Sequence, residues 1–310
     1  MKQYINLIDI STRDLRKIFT DAKKRKERRK NLSSLDADKD APLKGKLLIQ
    51  MFEKSSLRTR ISFYLAIRQL GGSALTLRPD ELHITKGGES IQDTAKILSN
   101  YGDVFMLRTD NDDKLKEFKK HLDIPIINGL SPSSHPTQIC SDIFTIEEIK
   151  KKQISNLNIC WIGDCNNVLN SLFEIAKKFL FNLNIGCPKK YQSKLLLNWT
   201  KKNKGKINLF DDAKKAAINA DIIFTDKVIS MNDKVNKTKK LKDFENFQVN
   251  SKLMSYAKKN SCLFHCLPAS RGKEISQDVI DDKQSRVWQQ AQNRVHVQKS
   301  ILLYCFGKLR

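Results

Sequence analysis

Short apolar runs recur along this chain, and a segment with apolar residues at helical spacing follows nearly every one. The runs occupy 46–52, 73–77, 103–107, 124–128, 158–163, 183–187, 207–210, 221–225 and 262–268. Runs this short, bounded by turn residues, read as buried strands. The intervening segments read as helices. Ile61, Leu65, Ile67 and Leu70 share one face, as do Ile91, Ala95, Ile97 and Leu98; 112–121, 139–151, 168–181, 191–202 and 211–219 continue the series. Before the first strand, Leu15, Ile18, Phe19 and Ala22 mark an amphipathic helix over 11–30 that Ser11 or Thr12 can cap. Strand alternating with helix implies parallel sheets covered on both faces. The basic stretch Lys150-Lys151-Lys152-Gln153 starts a second alternating series. At 310 residues two domains are expected. The expectation is an α/β chain of two doubly wound parallel-sheet domains of similar size, 1–148 and 149–290. The segment 291–310 is expected as a C-terminal helix that packs back on the first domain.

Ligands of such sheets bind beyond the carboxyl ends of the strands. Several chemically active residues fall there. After the first strand comes Glu53-Lys54-Ser55-Ser56-Leu57-Arg58-Thr59-Arg60, opening a helix. Backbone N–H groups at a helix N-terminus attract anions, Ser56 and Thr59 carry donors, and Arg58 offers a planar fork to phosphate oxygens. The bland reading is a serine N-cap followed by solvated arginines. Arg108 ends the third strand, and the loop after the fourth holds Ser134-His135-Pro136-Thr137-Gln138. There His135 is placed to donate to a carbonyl oxygen. Strand ends distant in sequence can therefore converge on one ligand.

Composition removes other classes. The formal net charge of +23 invites a nucleic-acid partner. However, the lysines sit in doublets at helix ends and loops without interleaved aromatics, so solvated faces are the better reading and no nucleic acid is expected. No apolar run approaches the ~18 residues of a membrane span, and the N-terminus lacks a signal-peptide pattern. Cysteines at 140, 160, 165, 187, 262, 266 and 305 show no framework spacing, which favours free thiols and a cytoplasmic chain. Cys262, His265 and Cys266 suggest half a metal site without a second half, so no metal is expected. Trp161-Ile162-Gly163-Asp164-Cys165-Asn166-Asn167 lacks the later glycines a pyrophosphate needs, which argues against a nicotinamide nucleotide.

Six stretches, in order over nearly the whole chain, resemble the ornithine carbamoyltransferases. Phe52 to Arg60 resembles their carbamoyl phosphate turn, and His135-Pro136-Thr137-Gln138 their His-Pro-Thr-Gln motif. Trp161 to Asn167 is similar to the segment that brings an asparagine to ornithine. Asp226-Lys227-Val228-Ile229-Ser230-Met231 is similar to their Asp-x-x-x-Ser-Met motif, and His265-Cys266-Leu267-Pro268 to His-Cys-Leu-Pro. Gln292-Asn293-Arg294 resembles the arginine-bearing start of their last helix. Aspartate carbamoyltransferases share the first two motifs but not the fourth, nor the cysteine of the fifth.

The resemblance implies transfer of the carbamoyl group of carbamoyl phosphate to the side-chain amine of L-ornithine. The products are L-citrulline and phosphate, no metal or organic cofactor is required, and the pathway is arginine biosynthesis. It implies that Ser56, Leu57, Arg58, Thr59, His83, Lys86, Arg108, His135, Gln138, Cys266, Leu267 and Arg294 bind carbamoyl phosphate. Lys86 would come from a neighbouring subunit of a homotrimer. Asn167, Asp226, Ser230 and Met231 would bind ornithine, with the loop 227–240 closing over it. Arg108, His135, Asp226 and Cys266 would carry the catalysis. Leu57 stands where the family usually has threonine and His83 near a usual glutamine. Gln292 replaces a usual glutamate, and Asn232 a frequent glycine. Leucine at position 57 also occurs among relatives acting on N-acylated ornithine, which keeps that substrate as one alternative, beside a basic nucleic-acid-binding protein as the other.

Overall fold

The computed structural model describes residues 1–78, 88–203, 205–229 and 236–309. The chain divides into two compact units, Met1–Ser141 with Gln292–Arg310, and Asp142–Ala291.

The first unit begins with helix α1 (Thr12–Arg28), capped by the Ser11 hydroxyl, which accepts from the Asp14 N–H at 3.0 Å. Then follow β1 (Leu47–Phe52), α2 (Leu57–Gln69), β2 (Ser73–Leu77), α3 (Ile91–Tyr101), β3 (Val104–Arg108), α4 (Asp112–His121) and β4 (Ile126–Leu130). The strands form one parallel sheet in the order β2-β1-β3-β4. Strand period puts Ile49, Met51, Phe105 and Leu107 on one face, where they join Ala95 and Leu98 of α3 and Leu115 and Phe118 of α4 in one buried cluster. The rings of Phe105 and Phe118 lie 5.1 Å apart. Burying side chains of this size contributes roughly 1.5–3 kcal/mol each. Near the N-terminus, Tyr4 extends the β4 edge: its N–H donates to the Ile126 carbonyl (3.0 Å) and its carbonyl accepts from Asn128 N–H (2.8 Å).

Helix α5 (Pro136–Lys150) carries the chain into the second unit. There β5 (Asn158–Ile162), α6 (Asn167–Phe179), β6 (Asn182–Gly186), α7 (Lys194–Lys202), β7 (Ile207–Phe210), α8 (Ala213–Ala217) and β8 (Ile222–Thr225) succeed one another. After them come α9 (Lys237–Asp243), α10 (Ser251–Met254), β9 (Cys262–His265) and α11 (Gln277–Ile280). The sheet is again parallel, in the order β7-β6-β5-β8-β9. Strands β5, β8 and β9 are almost wholly buried, as a sheet covered on both faces requires. Phe224 and Phe264 meet across β8 and β9, rings 5.2 Å apart.

The last helix, α12 (Val287–Cys305), starts before residue 291, and from Gln292 onward it belongs to the first unit. It meets α1 there: the Ser300 hydroxyl donates to Asp21 (2.6 Å), and Lys26 Nζ donates to Asn293 Oδ1 (2.8 Å). Helix α5 begins at Pro136, three residues before the apolar periodicity becomes visible. Proline suits the first turn of a helix, where its missing N–H has no partner to lose.

Candidate active site

In each sheet the strand order reverses once. In the first unit the chain goes from β1 out to β2, then returns to β3 on the other side of β1. Phe52 and Arg108, the last residues of β1 and β3, lie opposite each other. The turn after β1 is tied to the turn after β3. Glu53 N–H donates to the Arg108 carbonyl (3.0 Å), and the Glu53 carboxylate accepts from the Thr109 hydroxyl and pairs with Lys114. Ser56 takes the N-cap of α2 in an extended conformation but makes no side-chain cap bond. The first backbone N–H groups of α2, at Leu57, Arg58 and Thr59, therefore open the helix without help from the cap side chain. Leu57 is 69% exposed.

Thr59 is buried beside Arg294, which enters from α12. Arg294 Nη2 donates to Thr59 Oγ1 at 2.7 Å, and Nη1 donates to Gln138 Oε1 at 2.9 Å. Both acceptors are neutral, so neither cancels the guanidinium charge. His135 lies just before α5, and its carbonyl accepts from the N–H groups of Gln138 and Ile139. The loop that presents it is fixed by Asn128, whose amide donates to the Ser134 hydroxyl at 2.9 Å. Burial holds the His135 pKa well below the usual histidine range, and the cations of Arg294, Arg108 and Arg58 press it further down. The imidazole is neutral at physiological pH. A neutral imidazole among three guanidinium groups is a hydrogen-bonding group set in a positive field.

In the second unit the order reverses between β5 and β8, whose last residues Ile162 and Thr225 are opposed. Gly163 leaves β5 at φ +138°, a conformation that L side chains rarely adopt. The turn then runs through Asp164, Cys165 and Asn166 into α6. Asn166 is the N-cap: its Oδ1 accepts from Val168 N–H (3.0 Å) and Leu169 N–H (3.1 Å). Its Nδ2 donates to Asp226 Oδ2 at 2.7 Å. The other carboxylate oxygen, Oδ1, accepts from the Cys266 thiol at 2.9 Å. Asp226 follows β8 and Cys266 follows β9, so three adjacent strand ends supply this cluster. Asp164 is fixed separately, by a largely buried ion pair to Lys240 of α9 (2.6 Å).

His265 stands next to Cys266, and ligand atoms of Asp226, His265 and Cys266 lie within 4.8 Å of one another. Cys262, grouped with His265 and Cys266 in the sequence reading, is not in that set. The imidazole is engaged on both sides. Its Nδ1 accepts from Leu267 N–H (2.9 Å), which leaves the Nε2 proton for Glu274 Oε1 (3.2 Å). A metal would have to take the lone pair that Leu267 N–H already uses.

The first unit thus brings Arg58, Thr59, Arg108, His135, Gln138 and Arg294 together, with Ser56 and Leu57 opening the same helix. The second brings Asp226 and Cys266 together with Leu267 next in sequence. Asn167 is the first residue of α6, and its neighbour Asn166 makes the bond to Asp226. His83, Lys86, Ser230 and Met231 lie outside the described residues. Sequence reasoning singled out neither Asn166 nor Lys240, and it read His265 as half of a metal site and as the first residue of the His-Cys-Leu-Pro motif without giving it a role in binding or catalysis.

The pair of switch points defines an α/β protein with a cation-rich strand end in one unit and a carboxylate in the other. A family model for the carbamoyl phosphate-binding domain of aspartate/ornithine carbamoyltransferase matches residues 2–148, and one for the Asp/Orn-binding domain matches 155–305. The chain belongs to the aspartate/ornithine carbamoyltransferase family. It is 40% identical to ornithine carbamoyltransferase of Agrobacterium fabrum over 307 residues, 99% of this chain and 98% of that one. The solved structure of anabolic ornithine carbamoyltransferase from Campylobacter jejuni superposes with a TM-score of 0.89 at 35% identity, covering 99% of this chain and 100% of that one. Ornithine carbamoyltransferase from Pyrococcus furiosus also superposes with a TM-score of 0.89, at 36% identity and over 97% and 96% of the two chains.

Proposed function

We propose that this chain is an ornithine carbamoyltransferase, carrying the carbamoyl group of carbamoyl phosphate to the side-chain amine of L-ornithine. The observation that carries the substrate reading is the Asp226 carboxylate, oriented by Asn166 and Cys266 and suited to an ammonium-bearing amine. Ser56, Arg58, Thr59 and the Leu57 backbone hold the phosphate. Arg108, His135 and Gln138 hold the carbamoyl group, and Arg294, Cys266, Leu267 and His83 complete its binding. His135, kept neutral by burial and its cationic neighbours, donates to the carbonyl oxygen. Arg108 stabilises the negative charge that grows there on attack. Ornithine is held by Asn167, Asp226, Ser230 and Met231. Its amine loses a proton through Asp226 and Cys266, attacks the carbonyl carbon, and the tetrahedral intermediate collapses to citrulline as phosphate leaves. Much of the rate gain is positioning.

The assembly we propose is a homotrimer in which Lys86 reaches a neighbour's site. Leu57, Ile61 and Tyr64 of α2 leave an apolar stripe exposed at 69%, 46% and 40%, with Leu75 of β2 at 49%. A contiguous apolar stripe on a surface marks a protein contact, and Tyr64→Asp is expected to shift the mass in sedimentation equilibrium from trimer to monomer. Among the described residues no helix is long and apolar enough to cross a membrane. The reading carries a place in the cytoplasm and in arginine biosynthesis. The deciding experiment supplies carbamoyl phosphate with ornithine, N-acetylornithine or aspartate in separate assays. Carbamoyl transfer to ornithine alone is expected; transfer only to the acylated amine would overturn the substrate.

A further inference from the structure

Two cysteines beside the amine-side cluster stand outside the mechanism above. Cys165 lies in the turn between β5 and α6, and Cys187 follows β6 directly. The ladder between these strands continues to the turn itself, with Gly163 N–H donating to the Gly186 carbonyl at 3.0 Å. Cys187 is fixed by its own N–H on the Phe210 carbonyl (3.0 Å). The two side chains therefore leave neighbouring paired strands toward each other, and their sulfurs are 3.4 Å apart, the Cys165 thiol donating. Cys165 is half-buried and Cys187 buried.

We propose that Cys165 and Cys187 form a modification site, a thiol pair that a small disulfide such as glutathione disulfide closes into an intramolecular disulfide. The half-exposed Cys165 reacts first. Its thiolate attacks one sulfur of the reagent, the reagent's S–S bond breaks, and one glutathione leaves as a thiol. Cys187 then gives up its proton and attacks the Cys165 sulfur. The mixed disulfide breaks, and the second glutathione takes the proton. Two thiols and one disulfide become one disulfide and two thiols.

Against the burial of the Cys187 thiol, the nearby Lys240 cation favours the thiolate that makes the second attack.

Closure has a consequence for the site. A disulfide needs sulfurs ~2.05 Å apart, so the two sulfurs must approach by about 1.4 Å, and whatever side-chain rotation does not supply is taken up by the turn. Asn166, the next residue, holds Asp226. This consequence rests on the ornithine reading; the bond itself does not. Displacement by ~1 Å at a positioning group costs rate by up to a hundredfold.

The experiment incubates the full-length reduced protein with glutathione disulfide and reads free thiols, intact mass and the mapped peptides. The expected result is loss of two thiols per chain, a peptide linking Cys165 to Cys187, and reversal by dithiothreitol. With it, KM for ornithine rises ~tenfold or more while KM for carbamoyl phosphate holds. Cys187→Ser should keep the reduced protein's activity and stop at a glutathione adduct on Cys165. Survival of both thiols in the wild type, or a stable adduct there without the link, overturns the proposal. A linked protein with unchanged KM for ornithine overturns its effect on the site. Should the reduced protein turn over no ornithine, the proposed activity fails, and the mass readout still judges the bond.

Discussion

The two switch points have the same architecture and opposite chemistry. Each follows a central parallel strand with a turn and a helix, and each collects residues from adjacent strand ends. In the first unit the cluster is cationic: Arg58, Arg108 and Arg294 surround a histidine that burial and these cations keep neutral. The bonds that Arg294 makes to Gln138 and Thr59 run to neutral acceptors. In the second unit one carboxylate is fixed by two neutral donors, Asn166 and Cys266. The fold supplies a location, and the sign of the charge placed there selects the ligand. An anion is drawn to one strand end and an ammonium group to the other.

That contrast can be broken from either side. The largest effect is expected from Arg58→Ala, which should lower kcat/KM for carbamoyl phosphate ~100-fold or more without unfolding the protein. Steady-state kinetics with ornithine saturating checks it, and near-normal turnover would remove phosphate binding from the first unit. Asp226→Asn comes next. It should lower kcat/KM for ornithine by about a hundredfold, the scale of a lost acid–base group. Equilibrium binding of carbamoyl phosphate should be unchanged, and a parallel loss there would erase the division of labour.

A smaller and differently signed effect concerns pH. His296 of α12 has its pKa lowered to about 3, by burial first and then by Lys299, Lys26 and Arg29. His135 is likewise lowered. Both bind a proton more readily unfolded than folded. Their contribution to stability is therefore complete above the unfolded pKa of ~6.5 and is lost as pH falls toward the folded values, at about 2 kcal/mol for His296 by pH 5. Both lie in the first unit, so hydrogen exchange at pH 5 should loosen that unit ahead of the second. Equal loosening would contradict the asymmetry. The smallest effect is expected from Leu57→Thr, which restores a hydroxyl at the opening of α2. KM for carbamoyl phosphate should fall a few-fold, the scale of ~0.5–1.5 kcal/mol for one hydrogen bond; an unchanged KM would assign that position's contribution to its backbone N–H alone.

Much of this arrangement was legible in the sequence because strand and helix differ in period. The parallel sheets, the turn before Leu57 and the loop before α5 follow from apolar spacing and punctuation. What was not legible depends on contacts remote in sequence. Lys240 belongs to a run with Lys237, Lys239 and Lys242, and nothing local marks it for burial; Asp164, 76 residues earlier, does. Asn166 and Asn167 are chemically identical neighbours. Only the helix start decides which one caps it and turns its amide to Asp226. Helices α10 and α11 span four residues each, too short to show a 3.6-residue period. Arg294 was marked by its motif, but its bonds to Gln138 and Thr59 join positions 156 and 235 residues away.

Asn166 has one further consequence. Its carbonyl oxygen is committed to two backbone N–H groups of α6, so its amide nitrogen must face Asp226. A flipped amide would set donor against donor at the helix and acceptor against carboxylate at the aspartate. The side chain therefore has one usable orientation, and its rotational entropy is already lost before any ligand arrives. A change in the charge carried by Asp226 is felt at the first turn of α6 through a single planar group, so the firmness of that helix end and the affinity for an ammonium group are thermodynamically linked.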